Sequence, residues 1–256
     1  MKIFAAIMAT IFLTLSSMLV NAEPLKLRIG TEGTYKPMSY FDSAGQLTGF
    51  EVELVTAICA KIGAECEFIT MDFDGMVPAL QEKKIDGIAS GMRITEKRKK
   101  ILDFADKYYT PYARFVTCRH VGQEDTSPEA MKAYTLGTQV SSSNADFLNG
   151  EYVGGATIRL YKTMDEVYLD LTAGRLDVAM SSAFVGYDFL QSESGKSCAF
   201  IGGRQEDPKY FGDGTGIALR KGEDALRLKL NEGIKEIIAD GTYEKINAKY
   251  WPFSVR

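Results

Sequence analysis

The sequence has one histidine, His120, among 256 residues. A zinc site of the His-Glu-x-x-His kind needs two, and no metal or other cofactor is expected. The Gly-x-Ser-x-Gly turn that exposes a nucleophilic serine is missing too. A Ser-His-Asp triad would have to be built on His120 alone, at the end of the strand-like run Ala113–Arg119. Excess positive charge is also lacking: 30 Lys and Arg stand against 34 Asp and Glu, a formal charge of −4. Nucleic-acid affinity comes largely from clustered Lys and Arg. The one basic run, Lys97-Arg98-Lys99-Lys100, reads as a solvated helix face, so nucleic acid is not an expected partner. Beyond residue 22, no stretch approaches the roughly 20 apolar residues of a membrane span.

What is present begins with an export signal. Lys2 precedes an apolar run from Ile3 to Val20, and Val20 and Ala22 stand at the small-residue positions of a cleavage site. Residues 1–22 are thus expected to be removed, leaving a chain that starts near Glu23. Four cysteines in an exported chain can pair. Cys59 lies near the end of a helical pattern and Cys66 at the start of the next strand, which makes them the credible pair. Closing so short a loop contributes about 2–3 kcal/mol on the chain-entropy estimate. Cys118 and Cys198 are left as a second possible bridge, with nothing local to support it.

Strand-like and helical patterns alternate along the chain. Leu25–Gly30, Glu67–Thr70 and Ile85–Ala89 read as strands. Phe50–Ile62 sets Val52, Leu54, Val55, Ile58 and Ile62 at helical spacing, and Met76–Glu82 reads as a short helix. This alternation predicts an α/β fold with mostly parallel sheets flanked by helices. The pattern then repeats. Asp74, Met76, Leu80, Lys84-Ile85-Asp86 and Ser90 are echoed by Asp165, Val167, Leu171, Arg175-Leu176-Asp177 and Ser181. Arg28-Ile29-Gly30-Thr31 is echoed by Thr135-Leu136-Gly137-Thr138. Two echoes in the same order predict two lobes built on one βα plan. Ligands of open α/β sheets bind beyond the carboxyl ends of the strands. Thr31-Glu32, Ser90-Gly91, Thr138-Gln139 and Ser181-Ser182 all belong at such ends, so two facing edges would form a cleft.

Candidate ligand groups cluster at these edges. Thr95 is placed to cap a helix in which Arg98 occupies the first turn. A cation there opposes the macrodipole preference, and its fork suits a carboxylate; an ordinary surface role is the alternative. Glu32, between Gly30 and Gly33, is either the holder of a ligand cation or a solvated turn residue. Tyr35 and Phe73 follow strands, where aromatic rings stack on ligands or pack into a core. In Ser141-Ser142-Ser143-Asn144, either Ser143 or Asn144 is expected to cap the following helix, whose amides also suit a carboxylate.

Several stretches together resemble one family. They are Ile29-Gly30-Thr31-Glu32-Gly33-Thr34-Tyr35-x-Pro37, Gly49-Phe50-Glu51-Val52, Asp72-Phe73-Asp74 and Ile94-Thr95-Glu96-Lys97-Arg98, followed by Asp170-Leu171-x-x-Gly174-Arg175-Leu176-Asp177 and Tyr210-Phe211-Gly212-x-Gly214. The chain is similar to the periplasmic polar amino-acid-binding proteins of ABC importers, nearest the lysine/arginine/ornithine-, histidine- and opine-binding members. The resemblance implies a two-lobed periplasmic binding protein of type II, monomeric, with two hinge crossings and an inner-membrane permease as partner. Lobe one would comprise 23–112 and 206–256, and lobe two 113–205. Arg98, helped by Ser143, would clamp the ligand α-carboxylate, and Tyr35 and Phe73 would sandwich its stem. Ser90 and Gly91 would meet the α-amine, and Glu32 a distal cation. Gln139 and Asn144 complete the expected site.

Two positions depart from that pattern. Ser182 stands where the subgroup carries an Asp for the α-ammonium, and Arg93 where it carries Ser or Thr. A substituted amine with an extra carboxylate fits this change, so arginine-derived opines such as octopine or nopaline are considered beside arginine, lysine, ornithine and histidine. If Arg93 faces solvent or pairs with an acid of its own lobe, an ordinary basic amino acid is the ligand. Two other roles are weighed: a cyclohexadienyl-dehydratase-like enzyme, which shares this fold, and a ligand-loaded partner of a receptor.

Overall fold

The computed structural model describes residues 25–256, so the expected export segment lies outside the described residues. The chain starts with β1 (Leu25–Thr31), then a small antiparallel sheet of β2 (Thr34–Tyr35), β3 (Ser39–Phe41) and β4 (Leu47–Thr48). Next come α1 (Phe50–Lys61), β5 (Ala64–Thr70), α2 (Phe73–Gln81), β6 (Gly87–Ile88), α3 (Glu96–Lys99) and β7 (Leu102–Phe104). The second lobe holds β8 (Ala113–Thr117), β9 (Thr135–Gln139), α4 (Ser143–Glu151), β10 (Thr157–Tyr161), α5 (Met164–Thr172), β11 (Val178–Ser182), α6 (Ala183–Gln191) and β12 (Ala199–Gln205). After it follow α7 (Pro208–Phe211), β13 (Ala218–Arg220), α8 (Asp224–Ala239) and α9 (Thr242–Tyr250).

The two large sheets share one plan. Their orders are β5-β1-β6-β13-β7 and β10-β9-β11-β8-β12. In each, three parallel strands are joined by a fourth that runs antiparallel and a fifth antiparallel to it. The echoed residues perform the same work in both. Asp86 accepts from the Arg28 amide at 3.1 Å, and Asp177 from the Thr135 amide at 2.8 Å. Lys83 and Gly174, at matching places, both have positive φ (60° and 69°) where the chain turns from helix to strand. A side chain is strained there and glycine is not. The sequence repeat is therefore a structural repeat, fixed by how each helix is returned to its sheet.

Both lobes bury their helices by the spacing read in the sequence. Phe50, Val52, Leu54, Val55, Ile58 and Cys59 of α1 are buried against lobe one. Gly49 starts this helix at φ 127°, where an added Cβ would sit 2.3 Å from the Met38 carbonyl. Both cysteine pairs are bonded: Cys59–Cys66, and Cys118–Cys198 at the ends of the paired strands β8 and β12. The second pair had no local signal because its partners are 80 residues apart.

Two segments cross between the lobes. The first joins β7 to β8, and Thr215 of the second pairs with Tyr109 of the first. After β12 the chain stays on lobe two through α7, where Tyr210 and Phe211 pack with Phe147. It reaches lobe one at Gly212, where a Cβ would sit 1.9 Å from the Ile94 carbonyl. Phe184 of α6 packs against Tyr109 and Trp251, continuing the apolar core from one lobe to the other beside the crossings.

Candidate functional site

The carboxyl ends of β1 and β6 face those of β9 and β11 across a narrow cavity. Lobe one lines it with Tyr35, Phe73, Ser90, Gly91, Arg93 and Arg98. Lobe two supplies Gln139, Ser142, Ser143, Asn144, Met164 and Ser182. Ten of the eleven candidate ligand residues thus share one wall surface. The eleventh, Glu32, is buried behind it and bonded to two lining residues. Its Oε1 accepts from Gln139 Nε2 at 2.6 Å, across the lobes, and its Oε2 accepts from Ser90 Oγ at 3.2 Å. Of the two readings of Glu32, the solvated turn is excluded, since the residue is 2% exposed.

Arg98 is positioned by its helix start. Thr95 caps α3 by accepting from the Arg98 amide at 3.3 Å. The guanidinium donates to the carbonyls of Arg93 (3.2 Å) and Ser141 (3.1 Å), the latter on lobe two. It also lies 5.6 Å over the Phe73 ring. Ser141 holds φ 60°, a conformation that turns the chain immediately before α4. Ser142, rather than Ser143 or Asn144, caps α4, accepting from the Ala145 amide at 3.1 Å. The reason is backbone geometry: Ser142 is extended, whereas the helix itself begins at Ser143. Ser143 and Asn144 are left as buried helix-start residues facing the cavity, and Asn144 Oδ1 has no hydrogen-bond partner among the described residues.

Arg93 neither faces solvent nor meets an acid. It is 5% exposed and donates to the Pro111 carbonyl at 2.7 Å, with its guanidinium 5.0 Å over Phe211. Among the described residues, no carboxylate lies within ion-pair distance of Arg93 or Arg98. Burial pulls both guanidinium groups down to about 10, so both remain cationic at neutral pH. The same desolvation pushes the Glu32 carboxyl up to about 8, against the opposing hydrogen bonds from Gln139 and Ser90. Ser182 ends β11 and starts α6 without using its hydroxyl as a cap. The cavity lining therefore contains two guanidinium groups and no carboxylate.

Three participants escaped the sequence reading. Met164 lines the cavity as the first residue of α5, whose start is set by the Thr163–Glu166 capping box. The Thr-x-x-Glu spacing was the available signal. Ser142 was hidden within a run of three serines. Glu51, fully buried on α1, accepts from the Tyr108 hydroxyl and from the Gly91 amide at 2.7 Å. It holds the Gly91 turn in place, and burial raises its carboxyl to about 7. Nothing in the stretch Phe50–Val55 marks one glutamate of a helix as an anchor for a loop 40 residues away.

The family model for bacterial extracellular solute-binding proteins, family 3, matches residues 27–253. The L-arginine-binding protein of Pseudomonas aeruginosa is 36% identical, covering 98% of this chain and 97% of its own. The histidine-binding periplasmic protein of Escherichia coli is 38% identical over 91% of this chain and 90% of its own. A Salmonella typhimurium periplasmic binding protein of high arginine specificity superposes with a TM-score of 0.82 at 28% identity, over 88% of this chain and 99% of that one. All three are binding proteins rather than enzymes.

Proposed function

The chain belongs to the bacterial extracellular solute-binding proteins of family 3, and from that premise we propose that it is the periplasmic substrate-binding component of an ABC importer, working as a monomer with an inner-membrane permease. Its ligand is a basic amino acid (arginine, lysine or ornithine) or an arginine-derived opine such as octopine or nopaline. One observation carries this reading: Arg98 lines the cavity, Glu32 lies directly behind its wall on the lining residues Gln139 and Ser90, and neither has an ionic partner among the described residues. A ligand with a carboxylate and a distal cation satisfies both groups. Arginine, for which two of these relatives are named, has that form.

In this reading Arg98 binds the α-carboxylate, with the start of α4 at Ser143 on the other side. Tyr35 and Phe73 flank the stem, and Glu32 takes the cation. Because these groups belong to different lobes, a ligand that touches both favours their approach, and the two crossings serve as the hinge. The test is calorimetric titration of L-arginine into wild-type protein and Arg98→Ala. A hydrogen-bonded charge contributes about 1.5–3 kcal/mol, so the variant should lose roughly 10- to 150-fold in affinity. Unchanged affinity would refute the clamp.

A further inference from the structure

We infer that Arg93 is the receptor for a second ligand carboxylate, beside the one at Arg98, so that the preferred ligand is a dicarboxylate. The inference rests on the proposed amino-acid-binding role and narrows its substrate class.

Three observations converge. Arg93 lines the cavity yet is buried, and its Nη2 has no hydrogen-bond partner among the described residues. Its other arm is engaged, with Nη1 on the Pro111 carbonyl and the guanidinium 5.0 Å from the centre of the Phe211 ring. The side chain is therefore anchored next to both crossings, with one donor arm left over. Finally, no protein carboxylate compensates it. Among the described residues, Glu32 is bonded to Gln139 and Ser90, Glu51 to Tyr108 and Gly91, and Asp146 to Lys97.

A buried charge without a counter-charge is costly, and the cost is removed when an anion arrives with the right geometry. A zwitterionic amino acid brings one carboxylate for two guanidinium groups. A second carboxylate balances the pair, and guanidinium forks suit carboxylates in particular. It can come from two sources, an acidic arm on the ligand nitrogen or an acidic side chain. Ser182 and Ser90, neutral groups on the same walls, offer a ligand nitrogen hydroxyls alone, with no carboxylate that favours a primary ammonium with three donors. Glu32 adds the requirement of a distal cation. Together they favour an N-carboxyalkyl derivative of a basic amino acid over an acidic amino acid.

The experiment is calorimetric titration of the full mature chain with L-arginine, octopine (arginine carrying a carboxyethyl arm on its α-nitrogen) and L-glutamate. The expected result is octopine binding at least about tenfold tighter than arginine, a preference that Arg93→Met reduces to less than about threefold. Arg93→Lys, which keeps the charge, should restore part of it. Arginine binding as tightly as octopine or tighter in wild-type protein overturns the second carboxylate while leaving the proposed function standing. That comparison needs no variant to fold. A preference for glutamate that Arg93→Met abolishes supports the second carboxylate but moves it to a side chain. If none of the three binds, the inference and the underlying reading both fall.

Discussion

Replacing Glu32 with Gln should change the pH dependence of ligand binding in a way that separates a cation receptor from a structural carboxyl. Glu32 is buried, and desolvation raises its carboxyl from 4.5 to about 8. At pH 7 the folded protein thus holds this proton, which an unfolded chain has already released. The sign follows directly. A raised carboxyl stabilises the folded state fully below pH 4.5, and that contribution is lost as pH rises through about 8. A cationic ligand reverses the preference, since it draws its energy from the ionised form. Below pH 8, ionising Glu32 costs about 1.4 kcal/mol per pH unit, and this is charged against binding. Arginine affinity should therefore rise nearly tenfold from pH 6 to pH 7, and less steeply from pH 7 to pH 8. Binding at pH 7 should release close to one proton. Calorimetry in two buffers of different ionisation enthalpy reads both quantities. In Glu32→Gln the release and most of the slope should vanish. A flat arginine affinity between pH 6 and pH 8 in the wild type, with no proton released, would show that the ligand leaves Glu32 protonated and that the cation goes elsewhere.

Among the described residues, three ion pairs bridge the lobes near the surface: Lys97–Asp146 at 2.7 Å, Lys162–Asp72 at 3.3 Å and Lys36–Asp188 at 3.7 Å. Exposed pairs contribute about 0–1 kcal/mol each and weaken with salt, so the triple variant Lys36→Gln/Lys97→Gln/Lys162→Gln should bind ligand more weakly and with a shallower salt dependence. Equal salt slopes in variant and wild type would show that the pairs do not aid closure. The two disulfides should differ in weight. Loop-closure entropy assigns about 4–5 kcal/mol to Cys118–Cys198, with its separation of 80, and about 2.5 kcal/mol to Cys59–Cys66, with its separation of 7. Denaturant unfolding of the Cys118→Ser/Cys198→Ser and Cys59→Ser/Cys66→Ser proteins should rank them in that order; the reverse order would mean that native-state packing, rather than the unfolded chain, sets the difference.

The local signals were strong wherever one element carries its own information. The helical spacing of Phe50–Ile62 led to α1, and Thr95 before Arg98 marked the cap that sets that guanidinium. The echo between Asp74–Ser90 and Asp165–Ser181 led to two like sheets, because each copy must return a helix to a strand through the same aspartate-to-amide bond. Strand ends are where such sheets offer free backbone, so the candidate ligand residues could be assembled from strand positions alone.

What the sequence by itself determined was thus the set of elements, the duplicated plan and the residues at the strand ends. Tertiary structure alone decided which of those residues meet and what charge state they keep. The Glu32–Gln139 bond joins residues 107 apart, and no local rule sets the register of one lobe on the other. Glu51 became an anchor, and Arg93 a buried cation with a spare arm, only through desolvation by elements distant in the chain. Burial and charge pairing are properties of the assembled interior. They bring a row of plausible side chains together around one cavity and leave two buried guanidinium groups there without a counter-charge among the described residues.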